Sequence, residues 1–359
     1  MRTGEGGGAM ADRADSRHRA FIGSFTSAGG RGITTAALDP DTGALTVRSH
    51  TDAVADPSFL AVDPARPLLY AVSETDPGAV AALSTADPAQ PRLLAEPAPV
   101  DGAGPTHVTL AAGAVWTADY VSGNVSALPL DGAGVPVPPA RTHQHRGSGP
   151  DKERQEGPHA HAVVPDPSGR WLLSTDLGTD SVWILDLRGA PGDALRPHGE
   201  VPLRPGTGPR HLAFASPDRA LIVNELDSTV TSCRWDADGG TLEPVEETRV
   251  LPAGTPGGDN FPSALVISPD GRFAWVANRG DDSIAVLALD TAGRAELRGT
   301  VPCGGHWPRD LAVHPSGRLL YAANERSGDV TWFTVDEATG TPRRAGSLAA
   351  PAASCVVFG

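Results

Sequence analysis

The chain has 359 residues, 40% of them apolar and 5% aromatic, with a formal net charge of −14. That acidity excludes general nucleic-acid binding, which needs a basic face to displace counterions, and no apolar run reaches the length of a bilayer span, so no membrane partner is expected. Glycine and proline, 42 and 34 in number, interrupt the chain too often for long helices and point to many tight turns.

Residues 1–20 are polar and glycine-rich, lack the apolar h-region of a signal peptide, and are expected to form a disordered tail before a folded domain at 21–359. The run FIGSFTSAGGRGITTAALDPDTGALTVRSH from Phe21 reads as three strands separated by turns. From Pro57 a repeat begins with PSFLAVDPARPLLYAVSE, and PTHVTLAAGAVWTADYVSGNVSALPLD follows from Pro105. Residues 140–161 are a long polar insertion, expected to lie as a partial lid over the site, and they run into the third copy at Pro158. Further copies start at Pro209, Pro262 and Pro308, and the C-terminal PAASCVVF from Pro351 holds only a first strand.

The copies start 43 to 53 residues apart, and each reads as four short strands, the signature of propeller blades. The N-terminal run lacks a first strand and the C-terminal run supplies one. The expected fold is therefore all-β, a seven-bladed β-propeller closed by N- and C-terminal strands sharing one blade. Truncation at either end would leave an open sheet edge.

The start of each first strand and the end of each second strand should meet at one mouth of the ring. Strand starts carry Thr106-His107, His159-Ala160-His161, Arg210-His211 and Arg309-Asp310. Strand ends carry Glu74, Asp119, Asp176, Asn224-Glu225, Asn278-Arg279 and Asn324-Glu325. The asparagines recur in register, as turn-stabilising residues do. The arginines, histidines and Glu225 vary between blades, which points to a site. Trp116 reads as blade packing, whereas Trp307 suits either packing or the pocket. Cys233, Cys303 and Cys355 are scattered and form no CxxC, as expected of a cytoplasmic protein.

GSGPDKERQEGPHAH, GPRHLAF with the following NEL, VANRGDDSIAVL and GGHWPRDLAVHPSGRLLYAAN resemble the seven-bladed lactonase family typified by 6-phosphogluconolactonase. The resemblance runs from Phe21 to Phe358. It implies hydrolysis of the δ-lactone of 6-phosphogluconate without a required metal, or chemistry on muconate-type lactones. It also implies an active face of Arg154, His159, His161, Arg210, Glu225, Arg279 and Arg309. Ser263-Ala264-Leu265 stand where the family often has a carboxylate, a departure that points to another lactone or to lost activity if that carboxylate is catalytic.

Lactone hydrolysis needs an activated water and a donor for the developing oxyanion. Glu225 or His159 is the expected base, the imidazole being the better match to neutral pH. Arg210 is the expected oxyanion donor. Arg279 and Arg309, with Arg154, His161 and His211, are expected to hold a small anionic substrate. A serine hydrolase is disfavoured because no GxSxG elbow is present. His143-x-His145 and His159-x-His161 have metal-like spacing but no clear third ligand, so neither a metal nor another cofactor is expected. The competing reading is a non-catalytic binding propeller; in either case a monomer or weak homo-oligomer is expected.

Overall fold

The computed structural model describes residues 18–188, 195–255 and 259–359. Among these, the chain is nearly all strand, with one 3-10 turn at Thr26–Ala28. Seven antiparallel sheets form the blades. Blade one takes its inner strand from the C-terminus, Ala353–Phe358, and continues through Arg19–Ser24, Ile33–Leu38 and Leu45–Thr51. The expected closure is therefore present. Of the segment 1–20 expected to be a tail, residues 1–17 lie outside the described residues, while Arg19 and Ala20 already pair with Ala37 and Ala36.

The inner strands of blades two to seven are Leu60–Val62, Pro105–Ala111, Ala160–Pro165, Pro209–Ser216, Phe261–Ile267 and Pro308–Val313. Their second strands are Leu68–Ser73, Ala114–Asp119, Trp171–Asp176, Arg219–Asn224, Phe273–Arg279 and Leu319–Asn324. Buried apolar side chains gather into seven clusters among the described residues, one between each pair of neighbouring blades. Second strands such as Leu68–Ser73 and Leu319–Asn324 are buried throughout, because a blade packs on both faces. Trp116 is one of these core residues, with its Nε1 donating to Ala111 O at 3.0 Å.

Aromatic residues on second strands tie blades together. Tyr70 Oη donates to Gly134 O, Trp275 Nε1 to Gly340 O, and Tyr321 Oη to Gly43 O, at 2.7, 2.8 and 2.8 Å. Each acceptor glycine sits in an outer turn of the next blade with positive φ. At Gly43 a Cβ would also come within 2.8 Å of Leu319 Cδ2, so both the backbone and the packing call for glycine. The Tyr321–Gly43 bond joins blade seven to blade one across the closure.

The feature that positions the site is a bulge. In six blades the inner strand slips register against its neighbour near its start, leaving Thr106, His161, Arg210, Ser263, Arg309 and Ser354 without a cross-strand partner. A bulge re-aims its extra side chain out of the normal alternation. Where that residue is small, its hydroxyl braces the next blade: Thr106 to His161 O, Ser263 to Pro308 O and Ser354 to Ser58 O. Where it is long it enters the central channel, Arg210 and Arg309 at the mouth and His161 beneath it.

Candidate active site

A second ring of positions meets the bulge residues. The residue following the equivalent Ser, Asp or Asn of each second strand is Phe25, Glu74, Tyr120, Leu177, Glu225, Arg279 or Glu325. Glu225 is the hub. Its Oε1 accepts from Arg154 Nη2 at 2.6 Å and its Oε2 from Arg279 Nη2 at 2.6 Å. Arg210 Nε lies 3.1 Å from the same Oε2, yet that N–H has no aligned acceptor and is buried. Arg210 is further fixed by Nη1 donating to Ser263 O at 2.7 Å, and Arg279 by Nε donating to Phe261 O at 2.9 Å.

Burial pushes the Glu225 carboxyl up, but Arg279, Arg210 and Arg154 outweigh it and bring it down to about 2. Burial, reinforced by Arg279 and opposed by Glu225, brings the Arg210 guanidinium down to about 9. Burial also lowers Arg279 despite Glu225, whereas Glu225 and Tyr120 overcome burial at Arg154 and raise it.

Across the mouth, Arg309 makes a second, oppositely balanced group. Its Nη1 donates to Glu325 Oε2 at 3.1 Å, its Nη2 lies 3.7 Å from Glu74 Oε1, and its guanidinium covers Phe25 at 4.8 Å. Ser58 Oγ donates to Glu74 Oε2. Burial raises Glu74 against the pull of Arg309; at Arg309 the carboxylates of Glu74, Glu325 and Glu225 overcome burial and raise it.

Below the mouth, imidazoles plug the channel. His211 lies 5.6 Å from both His107 and His161, and Phe59 packs on His107 at 4.3 Å. Burial, then Arg210, holds His161 and His211 well below the usual histidine range and His107 at about 3. These imidazoles are thus polar but uncharged at neutral pH. His161 Nδ1 is buried without a partner.

The insertion is docked through its interior. Arg141–Gln144 form the outer strand of blade three, so this part is sheet where a lid was expected. Beyond it, Asp176 ties both ends of the loop. Its Oδ2 pairs with His145 Nδ1 at 2.7 Å, and its Oδ1 accepts from the His159 amide at 2.8 Å. Gln155 Nε2 donates to Leu177 O at 2.8 Å. This framework carries Arg154 to Glu225.

Of the residues expected from sequence, Arg154, Arg210, Glu225 and Arg279 form one cluster, Arg309 faces it, and His161 and His211 lie beneath. His159 stands at the rim, stacked on Tyr120 at 4.5 Å. Both its nitrogens are engaged, Nδ1 with Tyr120 O at 2.9 Å and Nε2 with Glu156 Oε1 at 3.2 Å. The two His-x-His pairs point to different places: His145 is buried against Trp183, 4.9 Å away, and the bulge separates His161 from His159. Among the described residues, no group of three or more His, Cys, Asp or Glu is placed to hold a metal ion. Tyr120, Phe25 and Ser58 are mouth residues the sequence reading missed, although Tyr120 and Phe25 stand in register with Glu225.

A family model described as lactonase, 7-bladed β-propeller, matches residues 19–358. The chain is 33% identical over 199 residues to a 6-phosphogluconolactonase of Bacillus subtilis, covering 53% of this chain and 54% of that protein. It thus spans about half the length of this curated relative. Two solved structures share the fold at a TM-score of 0.88: a Pseudomonas aeruginosa periplasmic gluconolactonase and a Lactobacillus plantarum protein, each 27% identical. Both alignments cover 95% of this chain, with 98% and 99% of the respective neighbour. Residues 19–358 span all seven blades and the mouth cluster, and the chain belongs to the seven-bladed β-propeller lactonase family.

Proposed function

We propose that the protein hydrolyses a sugar-derived lactone, 6-phosphogluconolactone to 6-phosphogluconate, by attack of water and without a metal. The observation that carries this reading is the convergence of Arg154, Arg210 and Arg279 on one buried carboxylate, with the Arg210 Nε–H lacking an aligned acceptor. An unspent, preorganised donor suits the oxyanion formed when water adds to the lactone carbonyl.

In this reading Glu225 orients the water and takes its proton as the new C–O bond forms. The tetrahedral oxyanion rests on Arg210. Collapse breaks the bond from carbonyl carbon to ring oxygen, and the proton passes to that oxygen, which becomes the free hydroxyl. A carboxylate at about 2 is a weak base. Charge stabilisation by the guanidinium groups therefore supplies the larger share of catalysis. His159, expected from sequence as an alternative base, is supported less, because both its nitrogens are occupied. A cytoplasmic site of action, as a monomer or weak homo-oligomer, belongs to the same proposal; the three cysteines are free and buried, which suits a reducing compartment.

The test is hydrolysis of freshly generated 6-phosphogluconolactone with a coupled dehydrogenase readout, with and without chelator. Chelator-resistant turnover well above the spontaneous rate supports the proposal. No acceleration on this lactone or on a panel of others overturns it in favour of a binding propeller.

A further inference from the structure

The mouth holds an arginine that the catalytic cluster does not use. Arg326 follows Glu325 on the rim and is exposed. Its guanidinium lies 3.4 Å from the ring centre of Trp307, and Arg279 lies 5.6 Å from the same ring. One indole therefore links the Glu225 cluster to Arg326.

Trp307 is itself held firmly. It adopts φ 64, a left-handed conformation that is costly for a bulky residue. The Asp282 carboxylate sustains that conformation by accepting from the Trp307 amide at 2.7 Å, and it also pairs with His306 Nδ1. Ser327 Oγ accepts from the His306 amide at 2.8 Å, and the Arg326 amide donates to His306 O at 3.2 Å. Backbone and ring together fix where the guanidinium lies.

The charge balance distinguishes Arg326. Arg154, Arg210 and Arg279 share Glu225, and Arg309 is bracketed by Glu74 and Glu325. Arg326 has no carboxylate within ion-pair distance among the described residues; its guanidinium rests on the Trp307 ring. A guanidinium stacked at this distance keeps its N–H edge free and loses little freedom on accepting a bidentate oxyanion. On a chain of net charge −14, a local uncommitted cation is what an anionic substrate requires.

We propose that Arg326, seated on Trp307, is the receptor for a phosphate monoester at the end of the substrate remote from the lactone carbonyl. This rests on the lactonase reading and deepens it: Arg326 sets the preference for a phosphorylated over an unphosphorylated sugar lactone. The Glu225 cluster takes the reacting end, and the arm carrying the phosphate extends past Trp307 to the rim.

The experiment compares wild type with Arg326→Gln and Arg326→Lys in two assays. One is hydrolysis of 6-phosphogluconolactone against glucono-δ-lactone. The other is calorimetric binding of the products, 6-phosphogluconate against gluconate. The wild type is expected to bind the phosphorylated acid more tightly, and Arg326→Gln to reduce that preference about tenfold or more, the size of a charge-assisted contact. Arg326→Lys should fall between, because the ammonium keeps the charge but not the planar fork. Equal wild-type affinity for the two acids, or an unchanged preference in Arg326→Gln, overturns the proposal. Failure of the wild type to hydrolyse either lactone would instead overturn the lactonase reading, and the binding preference would still decide the role of Arg326.

Discussion

Arg154 and Glu225, 71 residues apart in sequence, meet at 2.6 Å. The first rides on the loop after blade three and the second directly follows the Arg219–Asn224 strand of blade five. Their contact makes the loop part of the charged cluster at the mouth, and the anchor that sets it is Asp176, which holds both loop ends.

Loosening the anchor should therefore act like removing the arginine. Arg154→Ala and His145→Ala are each expected to lower kcat/KM about tenfold or more, as loss of a charge-assisted contact would. The double variant should lose less than the two single effects combined, because both break one linkage. Full additivity in steady-state kinetics would separate the loop anchor from the cluster.

Glu225→Gln should abolish turnover and also destabilise the fold. Removing one partner of a buried ion cluster costs about 3–5 kcal/mol, because buried guanidinium groups lose their counter-charge. The folded carboxyl lies at about 2, below the unfolded glutamate at about 4.3. Its contribution is complete above about pH 4.3 and is lost as pH falls through 2. Denaturant unfolding should show a wide gap between variant and wild type at pH 7 and a narrowing one as pH falls below 4.3.

The same titration predicts the rate profile. With Glu225 as base, kcat/KM should stay level as pH falls from 7 to about 5, since a group at about 2 stays ionised throughout. An acid limb between about pH 5 and 7 would remove Glu225 as the base.

At the closure, Tyr321→Phe should cost about 1 kcal/mol by deleting the bond to Gly43 O. Gly43→Ala should cost more than a typical surface change, combining φ 75 with a contact at 2.8 Å. Thermal unfolding of both variants measures this, and an unchanged Tm in each would remove the latch from the account.

The blade architecture was legible because Pro-started strands and their turns recur from Pro57 to Pro351 and the two ends complete one blade. The arginines and Glu225 stood out because they break a repeated pattern. The pairing of Arg154 with Glu225 was not legible, since side-chain reach across two blades leaves no local signature. Nor were the bulges: the slip at Arg210 or Arg309 is a backbone event, and its sequence looks like ordinary strand. Tyr120 escaped notice because an aromatic at a strand end reads as packing, although it lies between His159 and His161.

Because each bulged residue stands outside the ladder, its side chain is set apart from the strand register, whether it braces the next blade or enters the central channel. Ser263 and Arg210 occupy equivalent positions in neighbouring blades, yet one braces a carbonyl and the other reaches the Glu225 carboxylate. The propeller thus offers interchangeable sockets around a fixed frame. A lineage can rewrite its substrate repertoire one socket at a time, provided that the brace to the next blade is replaced wherever the socket holds Thr106, Ser263 or Ser354.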